Sequence, residues 1–223
     1  MSSREKMLAS VRSALGVDTA EDGGRRETVA MRLRDHPSNL IPQRARRGPE
    51  ERVQLFMDIL KSQAATVLRL PAREIPAAVA GYLRDHNLPA RVRMGGDRRL
   101  AGLPWGTAKG LDCLSGRAEE DDTASLSHAA AGASETGTLF LTSGPDNPTT
   151  LNFLPETHMV VVRSQDILGS YEDVWNRLRE TFGEGVMPRT VNMVSGPSRT
   201  ADIEQTIVMG AHGPRRLLVL VAD

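Results

Sequence analysis

Two short segments hold most of the side chains able to do chemistry. Residues 195–204 (SGPSRTADIE) combine a glycine, a fixed turn, three hydroxyls, a guanidinium and two carboxylates. Gly196 lets a ligand approach the backbone, and Pro197 sets the turn. Ser198 and Thr200 offer hydroxyls or a helix cap. Arg199 can clamp a carboxylate or phosphate through two parallel hydrogen bonds. Exposed N–H groups at the start of a following helix, predicted over 202–210, would favour an anion. Ser195, Asp202 and Glu204 complete this candidate ligand set. The same spacing fits a plainer role, in which Thr200 or Asp202 caps the helix, Gln205 closes a capping box and Arg199 is solvated. The segment lacks the Gly-x-x-x-x-Gly-Lys of a phosphate-binding loop.

The second segment is 134–145 (SETGTLFLTSGP). Glu135 stands before a β-branched, apolar run. A partly desolvated carboxylate there could serve acid–base or nucleophilic chemistry, or it could simply end a helix facing water. Thr136, Gly137 and Thr138 follow as candidate ligand contacts, and Ser143 and Gly144 form the turn beyond the strand. His158 and His212 each lie near a predicted strand end, where either can line a cleft or fill a structural role. The five histidines show no HxH or HxxxH spacing, so no metal site is expected.

These residues need a scaffold of alternating strands and helices. A helix is predicted over 3–15, with Met7, Leu8, Val11 and Leu15 on one stripe, and residues 17–49 lack a sustained period. Between Arg25 and Arg47 there are seven Arg against Glu27 and Asp35, which suits a solvated linker or an arm that docks on an acidic partner. Helices are expected at 51–63, 71–87, 127–133, 150–154, 170–182 and 202–210. Strands are expected at 65–70, 88–94, 110–114, 136–142, 158–163, 190–194 and 217–222. Such alternation predicts an α/β fold in three layers, with a mostly parallel or mixed sheet covered on both faces. The expected division is an N-terminal helix and basic arm over 1–49 and an α/β domain over 50–223.

Composition removes whole classes of function. Lys+Arg 28 against Asp+Glu 28 gives no net charge, and aromatics are 4%, so nucleic-acid binding is not expected. No apolar run approaches the ~20 residues of a membrane span, and residues 1–15 do not read as a signal peptide, so a cytoplasmic location is expected. Cys113 is the only cysteine, so the chain cannot hold an iron–sulfur cluster on its own thiolates.

The run 135–145 (ETGTLFLTSGP), the strand within 154–163 (LPETHMVVVR) and residues 195–213 (SGPSRTADIEQTIVMGAHG) with Pro214 resemble the signature of the LUD domain, in particular its lactate-utilisation protein C type. The likeness is strongest from 134 to 223. It implies a fold similar to the sugar-phosphate isomerase and coenzyme A transferase group. It also implies a role as the non-cluster subunit of a system oxidising L-lactate to pyruvate, with iron–sulfur clusters in partner proteins and none in this chain. A small carboxylate or other anion is the expected ligand. Glu135-Thr136-Gly137 is loosely similar to the nucleophile region of coenzyme A transferases, which keeps an independent acyl-transfer enzyme open as an alternative, beside a non-catalytic scaffold.

Overall fold

Along residues 217–222, Leu217, Val219 and Val221 join one apolar cluster while Leu218, Leu220 and Ala222 join another. A strand that is apolar on both faces must lie in the middle of a covered sheet, and the computed structural model places it there. It describes residues 2–16, 23–183, 185–203 and 206–223, and between 201 and 208 the backbone alone.

The elements run in the order α1 (Ser3–Ala14), α2 (Gly23–Asp35), α3 (Pro49–Ser62), β1 (Thr66–Leu70), α4 (Ile75–Asp85), β2 (Arg91–Met94), α5 (Arg98–Ala101), β3 (Asp112–Ser115) and β4 (Ala124–His128). They continue with β5 (Ala131–Ala133), β6 (Thr138–Thr142), α6 (Thr150–Phe153), β7 (Thr157–Arg163), β8 (Ile167–Leu168), α7 (Tyr171–Phe182), β9 (Val191–Val194), β10 (Arg199–Ile203), β11 (Thr206–Met209) and β12 (Arg216–Ala222).

The chain forms two compact units, Met1–Leu40 and Ile41–Asp223. In the first, Ser2 caps α1: its hydroxyl accepts from the Glu5 N–H at 3.2 Å, and the Glu5 carboxylate accepts from the Ser2 N–H. Residues 17–49, which lack a sustained apolar period, include the helix α2. Its sequence GGRRETVAMRLRD is rich in strong helix formers even though its apolar residues make no clean stripe. Met7, Leu8, Val11, Val29, Met31 and Leu33 are all exposed. Residues 41–48 belong with the second unit, where Ala45 is buried.

In the second unit six strands form a wholly parallel sheet in the order β1-β12-β7-β4-β2-β3. Helix α4 covers one face through Ile75, Val79 and Leu83. The other face is covered by α3, through Val53, Phe56 and Leu60, together with Leu139 and Leu141 of β6. That strand belongs to a second, mixed sheet in the order β8-β5-β6-β9. Helix α7 backs this smaller sheet: Val174 and Leu178 pack with Ala131, Ala133 and Phe140. The α/β class and the mostly parallel sheet agree with the expectation, and the second sheet is an added layer between the main sheet and α7.

Two predicted helices are strands. Residues 127–133 (SHAAAGA) end β4 and form β5, because Gly132 faces the Phe56 ring so closely that a Cβ there would lie 2.8 Å from it. In place of the helix expected over 202–210, Arg199–Ile203 and Thr206–Met209 pair as the antiparallel strands β10 and β11, and residues 204 and 205 lie outside the described residues. The β-branched residues Thr200, Ile203, Thr206, Ile207 and Val208 favour that outcome. Among the described residues, no helix is long and apolar enough to cross a membrane.

Candidate functional site

The SGPS turn follows β9, and the strand β12 begins a few residues after the HGP turn. The two turns are laced together: the Ser198 N–H donates to the Pro214 carbonyl at 2.8 Å, and the Gly210 N–H donates to the Ser198 carbonyl at 2.8 Å. Between them and α6 lies a cleft of about 230 Å³. Ser195, Gly196, Pro197 and Ser198 line it, with His158, His212, Asn152, Phe153 and Met193. Gly196 sits at φ 154°, and a Cβ there would stand 3.1 Å from both the Cβ and the carbonyl oxygen of Gln63, so a side chain would strain the turn.

The position of this cleft is unusual for an open α/β sheet. His158 is the second residue of β7 and Leu217 the second of β12. The cleft therefore lies at the amino ends of the parallel strands, opposite the carboxyl ends where open α/β sheets usually hold ligands. The reason is that β9 belongs to the small sheet, so its end does not share the direction of the main sheet.

A buried polar chain forms part of the site. His158 Nε2 lies 3.1 Å from Ser127 Oγ, and the Ser127 hydroxyl donates to Asn152 Oδ1 at 3.1 Å. With the serine proton spent on Asn152, His158 must donate through Nε2–H. Burial pushes the His158 imidazole down to about 3, so it is neutral and holds its place as a donor. Asn152 is buried and its Nδ2 has no partner. An orphan amide donor in a residue that lines a cleft calls for an oxygen acceptor on a ligand. The arrangement suits binding of a carbonyl, hydroxyl or carboxylate oxygen. It does not favour proton abstraction, because a ring held down to about 3 is a weak base.

The turn 134–137 meets this region from the side. Thr138 Oγ1 lies 2.8 Å from Thr136 Oγ1, 2.8 Å from the Tyr171 hydroxyl and 2.7 Å from Ser195 Oγ. The two sequence segments are thus joined through one hydroxyl cluster. Glu135 is buried, and its Oε1 accepts from the Tyr171 N–H at 2.7 Å at the start of α7. A carboxylate there satisfies a backbone donor that would otherwise be orphaned and faces the positive end of the helix. Replacing Glu135 with Ala should therefore cost about 2 kcal/mol in urea denaturation, and with Gln about 1 kcal/mol. An unchanged midpoint for the Ala variant would show that the cap carries no weight.

The other candidates lie elsewhere. Ser143 is at the far end of β6, where its hydroxyl accepts from the Thr190 N–H at 2.9 Å, and Gly144 pairs with Asn147. Arg199 is exposed and donates to the Gln63 side-chain oxygen, so it is engaged on α3's C-terminal cap rather than turned to the cleft. Thr200 sits in β10 opposite Val208, and Asp202 falls in the same strand with only its backbone described. Glu204 lies outside the described residues. Asn152, Ser127 and Tyr171 were not anticipated. The available signal was a polar residue beside apolar ones: Asn152 stands between Leu151 and Phe153, and Ser127 follows Leu126. Among the described residues, no group of three His, Cys, Asp or Glu side chains is placed to hold a metal ion.

Comparison with known proteins places these features in a family. Residues 117–222 match the LUD domain. The chain is 33% identical over 176 residues to lactate utilization protein C of Deinococcus radiodurans, covering 74% of this chain and 77% of that protein. It is 28% identical over 185 residues to an uncharacterized Escherichia coli protein, covering 77% and 78%. It is 42% identical over 98 residues to an uncharacterized protein of Neisseria meningitidis serogroup B, covering 44% of this chain and only 41% of that relative. A crystal structure of a DUF162 family protein from Deinococcus radiodurans superposes with a TM-score of 0.60 at 26% identity, over 79% of this chain and 99% of that one.

Proposed function

The chain belongs to the LUD-domain family, and from that membership we propose that it serves lactate utilisation as a subunit without clusters of its own. It acts with iron–sulfur partner proteins that oxidise L-lactate to pyruvate in the cytoplasm. The observation that carries this reading is the likeness to lactate utilization protein C over three quarters of both chains. Two features of the molecule support it. A lone cysteine, Cys113, provides no thiolate set for a redox cluster, which fits a subunit whose partners hold the clusters. The cleft offers a neutral histidine, hydroxyls and an orphan amide donor, which suit holding an oxygen-bearing ligand better than performing a proton transfer.

The exposed apolar side chains of α1 and α2, set among arginines, fit an arm that docks on a partner. The test is genetic and biochemical. Deleting the gene should abolish growth on L-lactate while leaving growth on pyruvate intact. The purified chain alone should oxidise L-lactate at least ~100-fold more slowly than a mixture with its iron–sulfur partners, about 3 kcal/mol in the effective barrier. Growth on L-lactate at the wild-type rate after deletion, or full turnover by the chain alone, would refute the accessory role.

A further inference from the structure

A second cavity, of about 270 Å³, lies at the other end of the main sheet. Three arginines line it: Arg99 of α5, Arg163 at the last position of β7 and Arg177 of α7. Asp166, Ala130 just after β4, Thr142 at the end of β6, and Leu178, Thr181 and Phe182 of α7 complete the wall. The cavity thus opens where β2, β4 and β7 end. In the sheet, the chain leaves β2 for β3 on its outer side, and the next strand of the sheet after β4 is β7 on its inner side. That divergence is a topological switch point, the position at which open α/β sheets leave a crevice for a ligand.

The guanidiniums are held in place by two carboxylates, Asp97 and Asp166, and the latter itself lines the cavity. Asp166 is buried, with one oxygen accepting from Arg163 Nε at 2.6 Å and the other from Arg177 Nη1 at 3.4 Å. Asp97 accepts from Arg99 Nε at 2.9 Å and from Arg99 Nη2 at 2.6 Å. Both acids are largely shielded, with side chains 4% and 12% exposed, whereas the three arginines are 42–46% exposed. Each arginine keeps further N–H donors in its planar fork, and three positive charges against two negative leave an excess of one. Fixed guanidiniums with spare donors at a concave site recognise planar or tetrahedral oxyanions. His128, buried at the end of β4, lies within the field of Arg99, Asp97 and Arg163 and adds no competing charge while it is neutral.

We propose that this cavity is a binding site for a small oxyanion, a carboxylate or a phosphoryl group, gripped by Arg99, Arg163 and Arg177 at the switch point between β2 and β4. This site is separate from the cleft at the SGPS turn, where Arg199 is engaged with Gln63 and β10 follows the turn. The site does not depend on the lactate reading, and failure of the growth experiment would leave it standing.

Isothermal titration of the full chain at low ionic strength, with inorganic phosphate, pyruvate and L-lactate in separate runs, tests it. At least one should bind saturably with a dissociation constant of about 1 mM or tighter, and added salt should weaken it. Arg177→Gln should weaken binding at least ~10-fold, the loss of one charge-assisted contact. Because that variant also loosens Asp166, a second one is needed. Ala130→Glu places a carboxylate in the cavity without removing any arginine, and it should abolish binding while the fold persists by circular dichroism. Phosphate binding alone assigns a phosphorylated ligand, and pyruvate or L-lactate binding assigns an organic acid; either upholds the site. No binding by any of the three, or binding unchanged in Ala130→Glu, overturns it.

Discussion

Lowering the pH from 7 to 5 should cost this protein about 4 kcal/mol of folding stability, before most carboxylates begin to protonate. Two buried histidines are responsible. His158 is held down to about 3 by burial. His128 is held down to about 4, by burial first and then by the nearby Arg99 guanidinium. In the unfolded chain both return to about 6.5. The folded state therefore binds fewer protons than the unfolded state below that value, and stability falls as pH falls. The loss begins near pH 6.5 and continues until the folded-state values are reached, near 4 for His128 and near 3 for His158. In the steep part of that window each histidine contributes about 1.4 kcal/mol per pH unit. Against a total of roughly 5–15 kcal/mol, acid unfolding should come well above pH 3. Urea denaturation at pH 7, 6 and 5 measures it. A midpoint that does not move between pH 7 and 5 would show that neither ring is as dry as the structure makes it. Substituting His128 with Asn should remove about half of the slope, since the two rings titrate separately.

The residues behind that expectation also mark how far the sequence can be read. His158–Arg163 and Leu217–Ala222 were legible as strands because both faces are buried, which leaves an unbroken apolar run. Residues 127–133 misled because small residues suit a helix when taken alone. The demand that makes them a strand is the approach of Phe56 to Gly132, made from a helix more than seventy residues away in the chain. Residues 202–205 misled through a capping-box spacing, while the β-branched character of the flanking residues prevailed. The candidate site was legible in part. The SGPS and HGP motifs do meet at one cleft, and the ETGT turn does reach Ser195. The role of Glu135 was not legible, since Tyr171, whose N–H it accepts, is 36 residues distant. The arginine cavity was invisible for the same reason: Arg99, Arg163 and Arg177 come from three separate elements, and nothing local distinguishes them from the other arginines of an arginine-rich chain.

Gly137→Val should destabilise the second unit by about 4 kcal/mol, and Gly137→Ala by about 2–3 kcal/mol. Two separate costs add at this position. The backbone is left-handed, at φ 63°, which L side chains rarely adopt and which a β-branched one tolerates least. A Cβ would also sit 2.8 Å from Ile59 Cγ2, 3.1 Å from Ile59 Cβ and 3.2 Å from the Leu60 nitrogen, so α3 would have to move. Gly110 separates the two costs. It also has positive φ, at 83°, but a Cβ there meets nothing within 4 Å. Gly110→Ala should therefore cost only the backbone share, about 1 kcal/mol. If Gly137→Ala proved no worse than Gly110→Ala, the turn would not be pressed against α3 as described. The consequence extends to the site. Gly137 lies between Thr136 and Thr138, and Thr138 carries the hydrogen bond that joins this turn to Ser195. Displacing the turn from α3 should loosen the SGPS loop as well. Amide hydrogen exchange in residues 195–198 should then speed up in Gly137→Ala and stay unchanged in Gly110→Ala, which ties the glycine of the ETGT segment to the order of the cleft.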